Sequence, residues 1–315
     1  MEYRKLISFG KSSFVVSLPK SWITKQKLNK GDTIYFEEKE DNLLLTTQEK
    51  RLVPEEKEIT ILVDGKNISQ IQRELIPAYI NNFKTIILSG KEIKDKAKEI
   101  EPVIQNLIAL EIMEQTANKI VARDFLDMEN ISINNLIRKM DVIVRAMFED
   151  SLNMFREDTY ENINHRDKDV NRLSYLIFRV INYGLKNQAF MNKKFKLTAL
   201  DLMRYYLLVF HIEAIADEVR RTARYMKLVK LSKNKQNEFV RLFLQARDNY
   251  LETLKAFYTH NIELAHSIAE RKKKLMDHCE NFYIKNQNTV WVAYLVDRLK
   301  RMVNTIHKLG RIVYE

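Results

Sequence analysis

Few residues of this 315-residue chain combine the type and spacing that chemistry needs. Glu213 and Asp217 lie four apart in a stretch running from Leu208 to Val219, whose apolar residues recur at helical spacing. Both carboxylates therefore share one helix face, where they repel one another unless a cation sits between or beside them. A metal ion is one such cation, because hard and borderline cations collect oxygen ligands. Arg220 and Arg221, three and four residues beyond Asp217, supply the charge without any metal. A salt bridge needs one arginine, whereas a metal cluster needs several converging oxygens, so a surface ion-pair network asks less of these residues. The six histidines add no chelating pair; His211 beside Glu213 is offset by two positions, which point apart on a helix. Cys279 is the only cysteine, which excludes an intramolecular disulfide and a cysteine-built zinc site. There is no nucleophile elbow, P-loop or dinucleotide fingerprint, and no enzyme is expected.

The second concentration of chemistry is charge. Residues 1–30 carry Arg4, Lys5, Lys11, Lys20, Lys25, Lys27 and Lys30 against Glu2 alone. Short apolar runs, Leu6-Ile7 and Phe14-Val15-Val16, flank a Gly10-Lys11-Ser12-Ser13 turn signal. A third strand is expected from Thr33 to Glu38, after the Lys30-Gly31-Asp32 turn, and a fourth at Leu43-Leu44-Leu45. A unit this small cannot bury a core of its own, and its charge fits a polyanion. Two further basic stretches, residues 218–235 and Arg271 to Lys274, read first as cations that favour helix C-termini.

The elements that must position these residues follow from period and composition. The net charge is +11, and six glycines and four prolines in the whole chain favour long helices. After a polar joint at residues 50–57, Ile59 to Val63 reads as a strand and Ile68 to Phe83 as a helix capped by Asn67. Thr85 to Leu88 reads as a strand, Asp95 to Ile112 as a helix and Asn118 to Phe125 as a third strand, with Pro77 and Pro102 inside the helical stretches. From Ile131 the chain reads as six amphipathic helices. Breaks are expected near 158–164, 187–196, 230–235, 259–261 and 286–288. The halves have matching organisation, a weak internal repeat of two three-helix bundles. No apolar leader or run of eighteen apolar residues occurs, so a cytoplasmic protein without direct membrane insertion is expected.

Arg4, the Gly10-Lys11-Ser12-Ser13 turn, Val16-Ser17-Leu18-Pro19-Lys20, Trp22 and Leu28-Asn29-Lys30-Gly31-Asp32 together resemble the swapped-hairpin module of AbrB/SpoVT antitoxin-like regulators. That resemblance implies two chains interleaving into one barrel, a homodimer, with DNA held on its basic face. Arg4, Lys5, Lys11, Ser12, Ser13, Lys20 and Trp22 are the residues it assigns to DNA. The stretch Leu208 to Val219, with its Glu-x-x-x-Asp element, and the turn Arg166 to Leu173 resemble the phosphate-uptake regulator family, PhoU. The stretch Leu110 to Leu126 resembles the connector of archaeal regulators that fuse an AbrB-like head to PhoU bundles.

The resemblance implies a multi-domain, mainly α chain: a head at 1–52, a small α/β connector at 57–127, and three-helix bundles at 131–229 and 231–315. It implies a DNA-binding transcriptional regulator of phosphate uptake, working with a phosphate transporter ATPase or a phosphate-signalling protein. The alternative is an adaptor that inhibits such a transporter, with the head serving only to dimerise. PhoU-like bundles can gather iron or zinc, which would place Glu213, Asp217 and Glu280 as ligands. The remaining motif positions are degraded here to Ser174, Phe178, Ile284, Lys300 and Asn304, so no cofactor is expected. No residue marks a phosphate pocket.

Overall fold

The computed structural model describes residues 3–39, 42–47 and 57–314, and the chain divides into two compact units, 1–55 and 56–315. In the first unit, strands β1 (Ile7–Phe9) and β2 (Ser13–Val15) pair antiparallel, with Phe9 opposite Ser13. Gly10 takes φ +72° at the turn, a left-handed conformation that glycine adopts without a Cβ penalty. A short helix α1 (Lys20–Lys25), which the strand pattern did not foretell, starts after Pro19, whose carbonyl accepts the Trp22 and Ile23 N–H groups. Strands β3 (Tyr35–Lys39) and β4 (Asn42–Thr46) form a second antiparallel pair; the former begins two residues later than the sequence suggests.

Among its described residues this unit shows no interior of its own. No residue whose burial is described in it is buried, and Phe9, Phe14 and Phe36 stand 60–70% exposed. Apolar side chains exposed together in this way form a surface that a partner can cover.

The second unit opens with a four-stranded sheet in the order β5-β6-β8-β7. Strands β5 (Glu58–Leu62) and β6 (Thr85–Ser89) are parallel, joined through helix α2 (Ile68–Ile80); β8 (Lys119–Asp124) pairs antiparallel with both β6 and β7 (Leu110–Gln115). Asn67 caps α2 as expected, in a reciprocal capping box with Gln70. Helix α3 (Ile93–Gln105) ends well before Ile112, which corrects the sequence expectation. Glu111, Met113 and Glu114 favour a helix locally, but Ala109 turns left-handed (φ +64°) and the segment after it pairs with β8. Pro77 and Pro102 both lie within their helices without ending them at that point.

The helical region consists of α4 (Ile133–Asn153), α5 (Tyr160–Lys186), α6 (Gln188–Phe195), α7 (Ala199–Leu228), α8 (Lys233–Thr259), α9 (Ile262–Asn286) and α10 (Val292–Arg311). The expected break at 187–196 thus holds a short helix, closed by Lys196 at φ +55°. Helices α4, α5 and α7 pack together, as do α8, α9 and α10, and α7 lies against α10. One continuous apolar interior runs through both sets. The stripe Leu208, Ile212, Ile215, Val219, Ala223 and Met226 is buried throughout, whereas Ile262 and Trp291 are exposed at helix starts.

A buried ion pair fastens the sheet module to the helices. Arg179 of α5 meets Asp124 at the end of β8 at 2.7 Å, with both side chains at most 4% exposed. The Arg179 guanidinium also lies 4.4 Å over the Tyr79 ring of α2. The Asn82 and Asn182 amides donate to the Arg179 and Ile80 carbonyls, stitching the same seam. Removing one partner strands a charge in the interior, which costs about 3–5 kcal/mol. Asp124→Asn is therefore expected to lower unfolding stability by about 3 kcal/mol. In urea titrations the double variant Asp124→Leu/Arg179→Met should lose less than either single replacement, because no unpaired charge remains.

Candidate functional site

Two sites can be built from these elements: the basic face of the head and the carboxylate–arginine cluster of α5 and α7. In the head, Arg4, Lys5, Lys11, Ser12, Ser13 and Lys20 are all exposed, and Trp22 is half-buried on α1. Lys11 and Ser12 ride the β1–β2 turn, Ser13 opens β2, and Lys20 is the first residue of α1. The turn geometry and the Pro19-capped helix start therefore set where these cations project. Asp32 holds the following loop by accepting the Asn29 N–H at 2.6 Å. Long cationic side chains on turns suit phosphate oxygens, which position a protein on a duplex without reading its sequence.

On α7, Glu213 and Asp217 lie one turn apart as their spacing requires, and the arginines hold Asp217. Arg220 and Arg221 both ion-pair with it, and Arg220 also reaches Asp167 of α5 at 3.0 Å. Glu218 accepts from Arg221 at 3.3 Å and from Arg298 of α10 at 3.5 Å, so the network ties α5, α7 and α10 together. Glu280 is not part of it; it is exposed and paired with Lys300 at 2.7 Å. Among the described residues, no group of three or more histidine, cysteine, aspartate or glutamate side chains could hold a metal ion. Spacing within α7 missed the part played by Asp167 of α5, whose signal in the sequence was its place four residues after Ile163 and three before Val170, on the apolar face.

Much of the remaining basic charge on the helices is internally matched. Lys227 pairs with Asp158 at 2.6 Å and Arg271 with Glu252 at 2.8 Å. Arg220 and Arg221 are spent on the cluster just described. The head, with seven cations against one acid in residues 1–30, is the stronger candidate for a polyanion.

Once this geometry is in view, comparison with known proteins is informative. Residues 7–52 match the family described as "Antidote-toxin recognition MazE, bacterial antitoxin". The head is MazE-like. Among solved structures, the chain is similar to PhoU from Pseudomonas aeruginosa, at 16% identity and a TM-score of 0.48, over 57% of this chain and 93% of that one. It is also similar to the phosphate transport system regulatory protein PhoU from Streptococcus pneumoniae, at 13% identity and a TM-score of 0.46, over 57% and 92%. No curated protein matches. Ahead of a mainly helical body, then, stands a MazE-like segment, in the order that the sequence resemblance implies.

Glu213 is the member of the cluster without an arginine of its own. Burial pushes its carboxyl up to about 7 from an ordinary 4.5, with Asp217 and Asp167 adding to the rise against the pull of Arg221 and Arg220. Between those values the folded chain holds a proton that the unfolded chain has released. The stabilising contribution is thus complete below about pH 4.5 and is lost as pH rises through 7. Glu213→Gln cannot ionise and should escape that loss. Urea unfolding of both proteins is expected to show the variant gaining about 1–2 kcal/mol on the parent between pH 5 and pH 8, a figure reduced for partial solvent screening.

Proposed function

We propose that the protein is a DNA-binding transcriptional regulator rather than an enzyme, a homodimer whose paired heads grip the duplex. The observation that carries this reading is a MazE-like head, rich in exposed cations, with no buried residue where burial is described. Such a unit gains a core by joining a second chain, and two copies present two basic faces to one polyanion. The connection to phosphate uptake rests on the resemblance carried by Leu208 to Val219 and Arg166 to Leu173. In that reading the helical body answers to phosphate supply, through a transporter or a signalling protein, and the head passes the answer to a promoter. A cytoplasmic location accords with this role, and among the described residues no helix is long and apolar enough to cross a membrane.

The adaptor reading has one observation behind it. On the first half of α7, Leu200, Met203, Tyr206, Leu207 and Phe210 are exposed in a row at helical spacing, a surface apolar enough for a protein partner. Binding measurements separate the two. The full chain should sediment as a dimer and retard promoter fragments of phosphate-transport genes in a gel. Replacing Lys5, Lys11 and Lys20 together by alanine should weaken binding and flatten the plot of log K against log salt by about one unit per lost phosphate contact. An adaptor would leave the fragments unretarded.

A further inference from the structure

A cleft of about 250 Å³ opens where the starts of α4 and α7, the end of α8 and the chain after α10 converge. Its polar wall holds two arginines and a histidine. Arg138 comes from α4, Arg204 from α7, and His260 from the left-handed cap of α8 (φ 50°), all three exposed. Its other wall is aromatic, with the rings of Tyr205 and Phe257 6.3 Å apart. Tyr258 joins the two: the Arg138 guanidinium lies 5.7 Å over its ring, and its hydroxyl is shielded from water with no hydrogen-bond partner.

The carboxylate in the lining, Asp201, is already committed. It accepts the Thr198 N–H at 2.9 Å and the Thr198 hydroxyl at 2.7 Å as part of the α7 capping box. Asp201 keeps its charge there, so two guanidinium groups against one carboxylate leave the lining net positive. Burial, then the nearby Asp141 charge, pushes the Tyr258 phenol up to about 12, so that side chain stays uncharged.

We propose that this cleft binds a small aromatic phosphate monoester, the size of a mononucleotide, with the phosphate between Arg138 and Arg204 and the ring beside Tyr205 and Phe257. Guanidinium forks match phosphate oxygens in geometry as well as charge. Flat side chains suit a flat ring. The volume falls just below the usual range of roughly 300–1,000 Å³ for small-molecule pockets, which excludes a dinucleotide. The cleft lies wholly within residues 56–315, so this inference does not depend on DNA binding by the head.

Titration calorimetry on the full chain with adenosine monophosphate, adenosine and inorganic phosphate tests it. The monophosphate should bind at least tenfold more tightly than either adenosine or phosphate alone. Arg138→Gln and Arg204→Gln should each weaken it at least tenfold, with thermal unfolding of both variants unchanged. Absence of heat with the monophosphate up to millimolar concentration would overturn the proposal, as would unchanged affinity in both arginine variants. Phosphate binding as tightly as the monophosphate would overturn the aromatic half of it.

Discussion

The Arg179–Asp124 pair is the contact on which the arrangement of residues 56–315 most depends. A sheet module of this size, with two helices, and a bundle of long helices could each hold an interior alone, and each has a separate apolar core. What makes them one body is a charge from α5 driven into the end of β8 and paired there with Asp124. Buried pairs of this kind add little net stability, because desolvation offsets most of the attraction. Their effect is on specificity: any docking that fails to bring Asp124 to Arg179 strands the arginine and leaves Asp124 only its 3.5 Å contact with Lys84. Tyr79 reinforces the choice by offering the guanidinium a ring face while its hydroxyl donates to the Ile108 carbonyl.

The head follows the opposite rule. Its hairpins leave phenylalanines in water and gather exposed cations. The proposed division of work follows from that contrast, with internal charge pairing in the body and exposed charge on the head. The helices match their own charges at Asp167, Asp217, Glu218 and Asp158, while the head keeps its lysines exposed for a polyanion.

Much of this was legible in the sequence because it is local. The Asn67 cap, the hairpin turn at Gly10, the buried stripe of α7 and the arginines three and four residues beyond Asp217 all depend on near neighbours in the chain. Strand β7 was hidden because Glu111, Met113 and Glu114 favour a helix, and only β8, across a turn, makes them a strand. The lock at Arg179 was hidden for a related reason. One arginine in an amphipathic helix looks like any other until an aspartate 55 positions earlier in the chain, by subtraction of the two residue numbers, is folded against it. The cleft was less legible still, since its lining is contributed by four separate stretches.

The central claim is that DNA binding belongs to the head and that the body folds without it. Fluorescence anisotropy with a labelled duplex, run on the full chain and on residues 57–315 side by side, tests this most directly. The account predicts a folded truncated protein with the helical spectrum of the body and no measurable affinity for the duplex, beside salt-sensitive binding by the full chain. Comparable binding by the two proteins would contradict it.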